Sequence, residues 1–254
     1  MTPRIASLVP SVTELLVALG LAPHLVARTG YCIHPAAALA RVAKVGGTKD
    51  VNLDKLRRLA PTHVIVNIDE NRLEIVEALR AFVPQVLVTH PCGPEDVAGL
   101  MGQMATAFGA ESDVTARAAL LTAELATELG TTQAGQRPLV PVLYLIWRDP
   151  WMTVARDTYI ARMLARVDWS TQPAADGGER GSARYPVVRG DEPWLAGVEQ
   201  VLLSSEPYAF TADHLSQAQA LCPNARVRLV DGELLSWYGP RTAAGLRYLR
   251  QLVG

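Results

Sequence analysis

The sequence predicts an α/β protein of two Rossmann-like lobes, each built on a mainly parallel sheet, joined by a single long bridging α-helix. Three observations carry that expectation. Strand patterns and amphipathic helix patterns alternate through residues 4–108, and the strands are β-branched without polar alternation. Such strands read as a parallel sheet covered on both faces. The stretch 111–130 keeps one helical period with no strand signal inside it, and a second strand–helix series opens at "LVPVLYLIW", residues 139–147. The expected boundaries are 1–110 for the first lobe, 111–131 for the bridging helix and 132–254 for the second lobe.

The first element is "RIASLVPSVTELLVALGL", residues 4–21, in which a strand Ile5–Val9 meets Pro10. Ser11 then opens a helix with Glu14 three positions on, the pattern of a capping box. Strands are expected at Leu25–Arg28, His63–Asn67 and Gln85–Thr89, and a short helix from Asp54 to Leu59 ends where Pro61 bars its continuation. Over 95–108, Val97, Leu100, Met101, Met104 and Phe108 share one helix face. In the long helix, Val114, Ala118, Leu121, Leu125 and Leu129 are spaced by 4, 3, 4 and 4, with Gly130 as the stop. At about 1.5 Å per residue this makes a rod of roughly 30 Å, a strut. "TTQAGQRP", 131–138, is a polar turn. The insert "STQPAADGGERGSARYP", 170–186, is too rich in Gly, Ser and Asp for regular structure. Strands follow at Val198–Leu203 and Arg226–Val230, and a helix Pro240–Val253 closes the chain. "LRRLAPTHVIVNIDEN", 56–71, and "WLAGVEQVLLSSEPYA", 194–209, each read helix, connection, apolar strand and acidic turn, which suggests paired lobes.

Bulk properties narrow the function. With 49% hydrophobic residues the 254-residue chain buries a sizeable core. The 24 basic residues balance 25 acidic ones with no basic stripe, so a nucleic-acid partner lacks electrostatic support. No apolar run reaches the roughly 18 residues of a membrane span. The chain opens on a strand without a signal-peptide pattern, which places it in the cytoplasm if Met1 is the native start. The three cysteines, Cys32, Cys92 and Cys222, show no C-x-x-C spacing and do not suit a disulfide-stapled scaffold, which favours a reducing compartment slightly.

Four stretches could carry chemistry. Pro10 and Ser11 begin a helix at the carboxyl end of a parallel strand, where open α/β sheets bind ligands and a helix N-terminus offers free N–H groups; equally, Ser11 simply caps the helix. "GYCIHP" and "THPCGP" place Cys32, His34, His90 and Cys92 in strand-end loops, two thiols and two imidazoles that suit a borderline metal ion, although lone cysteines are more often small buried hydrophobes. "VGGTKDVNLDKL", 45–56, has a Gly-Gly turn but neither nucleotide-loop spacing. The aromatic runs "YLIWRDPWMTVARDTY", "RYP" and "LSWYGPR" put Trp147, Arg148 and Trp151 just past a strand, with Tyr185 and Trp237 further on, where a flat ligand stacks and an arginine meets a carboxylate or phosphate. Catalysis has little support: no G-x-S-x-G or H-E-x-x-H is present, and Asp149, Ser204, Ser205 and Glu206 do not combine a base with a nucleophile.

Together, "RIASLVPSVTELLVALGL", "VGGTKDVNLDKLRRLAPTHVIVNIDEN", "IWRDPWMTVARDTYI", "RYPVV", "VLLSSEPYAF" and "LVDGELLSWYGPR" resemble the vitamin B12-binding, or helical-backbone metal receptor, branch of substrate-binding proteins, the class III periplasmic binding protein type. These serve ABC importers of cobalamin, ferric siderophores and haem. The resemblance runs in order over nearly the whole chain. It implies a non-enzymatic, monomeric, periplasmic or extracellular protein with no required cofactor, small hinge motion, and a corrinoid or metal chelate held in an interlobe cleft. The cleft set so implied is Pro10, Ser11, Tyr31, Thr48, Asn67, Trp147, Arg148, Trp151, Tyr185 and Trp237. Thr48 and Asn67 stand where cobalamin-binding members carry tryptophans, which leaves Tyr31 as the main aromatic of the first lobe. Docking to an ABC importer permease is implied through Glu70 or Glu74, and through Glu206. Two rival readings use the same residues: a cytoplasmic enzyme or ligand-handling protein on this fold, and a direct metal-ion binder.

Overall fold

A computed structural model describes residues 2–111 and 113–254. The chain forms two units: Met1–Pro91, Val97–Glu124 and Tyr238–Pro240 make the first, and Cys92–Asp96, Leu125–Trp237 and Arg241–Gly254 the second.

The first unit runs β1 (Ile5–Ser7), α1 (Pro10–Ala18), β2 (Leu25–Arg28), α2 (Ala36–Leu39), β3 (Ala43–Lys44), α3 (Leu53–Arg58), β4 (His63–Asn67), α4 (Leu73–Arg80), β5 (Gln85–Thr89) and α5 (Val97–Phe108). The strands lie in the order β3-β2-β1-β4-β5, all parallel. One face of this sheet packs Ala6, Leu8, Ala27, Val64 and Val66 against Leu56, Val76 and Leu79 of the helices. Burial on both faces is what the unbroken Val/Ile runs require.

The expected capping box is not formed. Val9 is the N-cap without a side-chain bond, Pro10 takes the first helical position, and Ser11 lies inside the first turn, 3% exposed. Proline, with φ preset and no N–H to satisfy, claims that position and moves the helix start ahead of Ser11. Thr13 closes the turn instead, its hydroxyl donating to the Val9 carbonyl at 2.8 Å and lying 2.8 Å from the Ser7 hydroxyl.

The long helix is α6 (Val114–Thr131). It passes from the first unit into the second after Glu124, and Val114, Ala118 and Leu125 of the expected face are buried. Ser112, which the sequence places in this helix, lies outside the described residues. Gly130 does not stop the helix. Arg166 secures its end, donating to the Leu129 carbonyl at 2.6 Å and the Thr132 carbonyl at 2.8 Å. These carbonyls would otherwise lack partners, so the helix needs no glycine turn at this point.

The second unit runs β6 (Val140–Leu145), β7 (Trp151–Met152), α7 (Tyr159–Ala165), β8 (Trp169–Thr171), β9 (Val187–Val188), β10 (Gln200–Ser204), α8 (Leu215–Leu221), β11 (Arg226–Val230), α9 (Gly232–Ser236) and α10 (Arg241–Val253). Its parallel sheet has the order β11-β10-β6-β8, and β7 pairs with β9 in a separate antiparallel ribbon. Leu143, Leu145, Val201 and Leu203 centre its core. The stretch 170–186 is mostly irregular, as its composition suggests, but its first residues complete β8. The two-residue strands β3, β7 and β9 carry too few side chains to show a period in sequence.

Candidate functional site

In an open parallel sheet the ligand crevice lies at the carboxyl ends of the strands, where the strand order reverses. In the first unit that point falls between β1 and β4, and it is filled by polar scaffolding. Asn67 is buried; its Oδ1 accepts the Asp69 N–H at 2.8 Å and the Glu70 N–H at 3.3 Å, and its Nδ2 donates to the Thr89 carbonyl at 3.1 Å. Asn71 donates to the Thr48 carbonyl at 2.8 Å and the Leu8 carbonyl at 3.3 Å. Asn67 and Asn71 thereby shape the loop after β4 and tie Thr48 to it. The buried Tyr238 donates to Glu70 Oε1 at 3.3 Å and lies against Ser11. Burial, followed by the neighbouring Glu70 charge, holds its phenol well above the usual range.

This end also exposes apolar side chains. Tyr31 is 66% exposed, and Ile33 and Ile68 are also exposed in the loops after β2 and β4. Tyr31 lies over Gly47, within the turn that the Gly46–Val51 bridge closes. Gly46 has φ +105°, and a Cβ there would stand 2.2 Å from the Asp50 carbonyl, so this turn admits only glycine. Pro10 is half-buried at the start of α1.

The structure does not gather the Cys/His quartet into one group. Among the described residues no three His, Cys, Asp or Glu side chains could hold a metal ion together. The buried Cys32 thiol contacts Thr29 Oγ1 at 3.1 Å and the Ser7 carbonyl at 3.8 Å. Burial pushes its pKa up, against the thiolate that a metal requires. His90 pairs with Asp69 at 3.3 Å, and Arg184 donates to Cys92 Sγ at 3.8 Å.

In the second unit the strand order reverses between β6 and β10, and here the site is aromatic. Trp147, just past β6, is 41% exposed and meets Tyr208, just past β10, edge to face at 5.7 Å. Behind them Phe210 stacks on Trp151 at 5.9 Å and tilts on Tyr208 at 4.7 Å. Arg148 lies over Trp151 at 4.5 Å, donates to Gln217 Oε1 at 3.0 Å and pairs with Asp149. His214 contacts both Tyr208 and Phe210 at 5.4 Å. The structure thus brings Trp147, Arg148 and Trp151 together with Tyr208, Phe210 and His214, which the sequence reading did not single out. A signal was present in "SSEPYAF", where two aromatics follow a strand as Trp147 does.

Trp237 is not part of that cluster. It is 6% exposed, its indole N–H donates to Glu206 Oε1 at 2.9 Å, and Arg241 covers its ring at 4.9 Å. Ser236 also donates to Glu206, and the Glu206 backbone rests on Gly232, where a Cβ would stand 2.8 Å from the Glu206 N. Glu206 is thus held by α9 and the residue after it. Glu74 is exposed in the first turn of α4. Tyr185 is half-buried after the buried Arg184, whose guanidinium donates to the Gly178 carbonyl at 2.6 Å. Ser205 Oγ accepts the Gly232 N–H at 2.8 Å.

Two parallel α/β units joined through one long helix define a two-lobed fold. The chain belongs to the periplasmic binding protein family, whose model matches residues 5–184. Solved structures share the fold. The periplasmic vitamin B12 binding protein BtuF of Vibrio cholerae is 20% identical with a TM-score of 0.81, over 98% of this chain and 95% of that one. The haem-binding protein HutB of the same organism is 18% identical with a TM-score of 0.79, over 100% and 99%. A periplasmic haem-binding protein from Pseudomonas aeruginosa is 23% identical with a TM-score of 0.77, over 99% and 92%. No curated protein sequence matches the chain.

Proposed function

We propose that this chain is the substrate-binding component of an ABC importer, and that it carries a bulky flat metal chelate, a corrinoid or a haem, outside the cytoplasmic membrane. The observation that carries this reading is the exposed Trp147 at the reversal point of the second sheet, edge-on to Tyr208 and backed by Phe210 and Trp151. A large apolar ring gains most from a rigid aromatic wall, because such side chains offer much area and lose little conformational entropy on binding. The first unit offers a second apolar set, Tyr31, Ile33 and Ile68. The similar structures are of a vitamin B12 binding protein and of haem-binding proteins, which supports the same class. In the second unit Trp147 is the stacking contact, flanked by Arg148, Trp151 and Tyr185; in the first unit Tyr31 is the stacking contact, flanked by Pro10. Ser11, Thr48, Asn67 and Trp237 brace the loops. For the permease, Glu74 is the exposed contact of the first unit, while Glu70 and Glu206 accept hydrogen bonds from Tyr238 and Trp237 and shape the loops around them.

Calorimetric titration with cobalamin, cobinamide and haem, with absorption spectra alongside, tests the reading. One-to-one binding at micromolar strength or tighter is expected for at least one of them. Trp147→Ala weakens it by about tenfold or more, as expected for a central aromatic contact. No heat and no spectral change with all three ligands would refute the proposal. Glu74→Ala leaves binding intact and lowers uptake in membranes that carry the importer.

A further inference from the structure

Beside Trp147, the second-unit cluster contains a phenol hydroxyl, that of Tyr208, held by a histidine. The Thr211 backbone N–H donates to His214 Nδ1 at 3.0 Å. A backbone N–H is only a donor, so Nδ1 is the unprotonated ring nitrogen and the ring proton sits on Nε2. His214 Nε2 lies 3.1 Å from the Tyr208 hydroxyl and therefore donates to it. The Tyr208 oxygen acts as the acceptor in that bond, and its own hydrogen is directed elsewhere. Among the described residues His214 is the only hydrogen-bond partner of this hydroxyl. The ring itself is fixed edge-on to Trp147, tilted on Phe210 and edge-on to His214.

We propose that Tyr208 donates a hydrogen bond to a carbonyl-type oxygen on the rim of the bound macrocycle, with His214 as its positioning residue. The pair thus adds a polar specificity contact to the apolar wall. This rests on the reading of the protein as a carrier of flat metal chelates. Two rims supply that oxygen, the carboxylates of a porphyrin and the carboxamides of a corrin. A hydroxyl that receives one hydrogen bond is polarised toward giving another, so the two bonds reinforce each other. A ring with only alkyl groups on its rim stacks on Trp147 but leaves the Tyr208 proton unmatched.

The test compares the wild-type protein with Tyr208→Phe and His214→Gln, each titrated with haem, cobinamide and iron etioporphyrin, whose rim carries only alkyl groups. Tyr208→Phe is expected to weaken the oxygen-bearing ligand about five- to tenfold, the range of one hydrogen bond, and to leave the alkyl ring unchanged. His214→Gln weakens the same ligand by less, because the hydroxyl remains but its orientation is lost. Loss with haem points to a carboxylate, loss with cobinamide to a carboxamide. Equal loss for etioporphyrin, or no loss for any ligand, overturns the proposal, since the ring then acts as surface alone. A ligand-to-metal absorption band that vanishes in Tyr208→Phe overturns it too, because a metal-bound phenolate has no proton to donate. If the wild-type protein binds none of the three, the carrier reading itself fails and the proposal falls with it.

Discussion

Glu206 shows how one buried charge responds to pH. Burial pushes its pKa up, and the neighbouring Glu233 adds to that push. The bonds from Ser236 and Trp237 and the charge of Arg241 recover only part of the shift. A carboxyl raised in the folded state favours folding in its protonated form. Its contribution is full below the ordinary carboxylate pKa and is lost as pH rises through the raised value. Glu206→Gln keeps an acceptor for Trp237 without the charge. It should therefore melt about 2–4 °C above wild type at pH 7, with the gap closing by pH 4. A variant that melts below wild type at pH 7 would show that the ionised form is the one the fold prefers. Asp168 has the opposite sign. Its carboxylate accepts the Gly135 N–H at 2.5 Å, the Arg137 N–H at 2.9 Å and the Gln136 N–H at 3.0 Å. The Gly135 bond leads in lowering its pKa, against burial, with Arg137 and Gln136 adding to it. Its stabilisation is present above the ordinary carboxylate pKa and is lost as pH falls through the lowered value. Asp168→Asn tolerates the residue's φ of +62° and removes the charge, so urea unfolding at pH 7 should show a loss of about 2 kcal/mol.

At the scale of elements, the end of α6 is set by side chains distant in sequence. Arg166 binds its last carbonyls, and Glu128 pairs with Arg247 at 2.8 Å and Arg250 at 2.7 Å. Arg250 also donates to Thr132 Oγ1 at 2.6 Å. Cations at a helix C-terminus face its partial negative charge. Arg166→Met keeps the aliphatic stem and removes the donors. It should lose about 1–2 kcal/mol in urea unfolding and speed amide exchange at residues 129–132. Unchanged exchange there would mean that the remaining arginines hold the end without Arg166.

At the scale of the molecule, a ligand that binds only the folded chain stabilises it by mass action, about 2.7 kcal/mol at a hundred times its Kd. Saturating haem or corrinoid should raise the melting temperature by several degrees. Trp147→Ala should shrink that rise while leaving the ligand-free melting point near wild type, because Trp147 is already 41% exposed. The parallel strand–helix alternation, the long helix and the position of Trp147, Arg148 and Trp151 were legible in sequence. Each is a pattern of neighbours along the chain. Cys32, His34, His90 and Cys92 share chemistry on paper, while the partners of Cys32, His90 and Cys92, namely Thr29, Asp69 and Arg184, are set by folding.

Local periodicity and turn chemistry depend on residues a few positions apart, so the sequence by itself determined the α/β class and the order of the longer strands and helices. Long-range pairing has no such local signature. Only the tertiary structure decided that Trp147 meets Tyr208, that His214 orients that tyrosine, that Trp237 turns inward to Glu206, and that arginines rather than Gly130 end α6. In each case the residue type was compatible with several roles, and packing against partners from 6 to 118 positions away selected one.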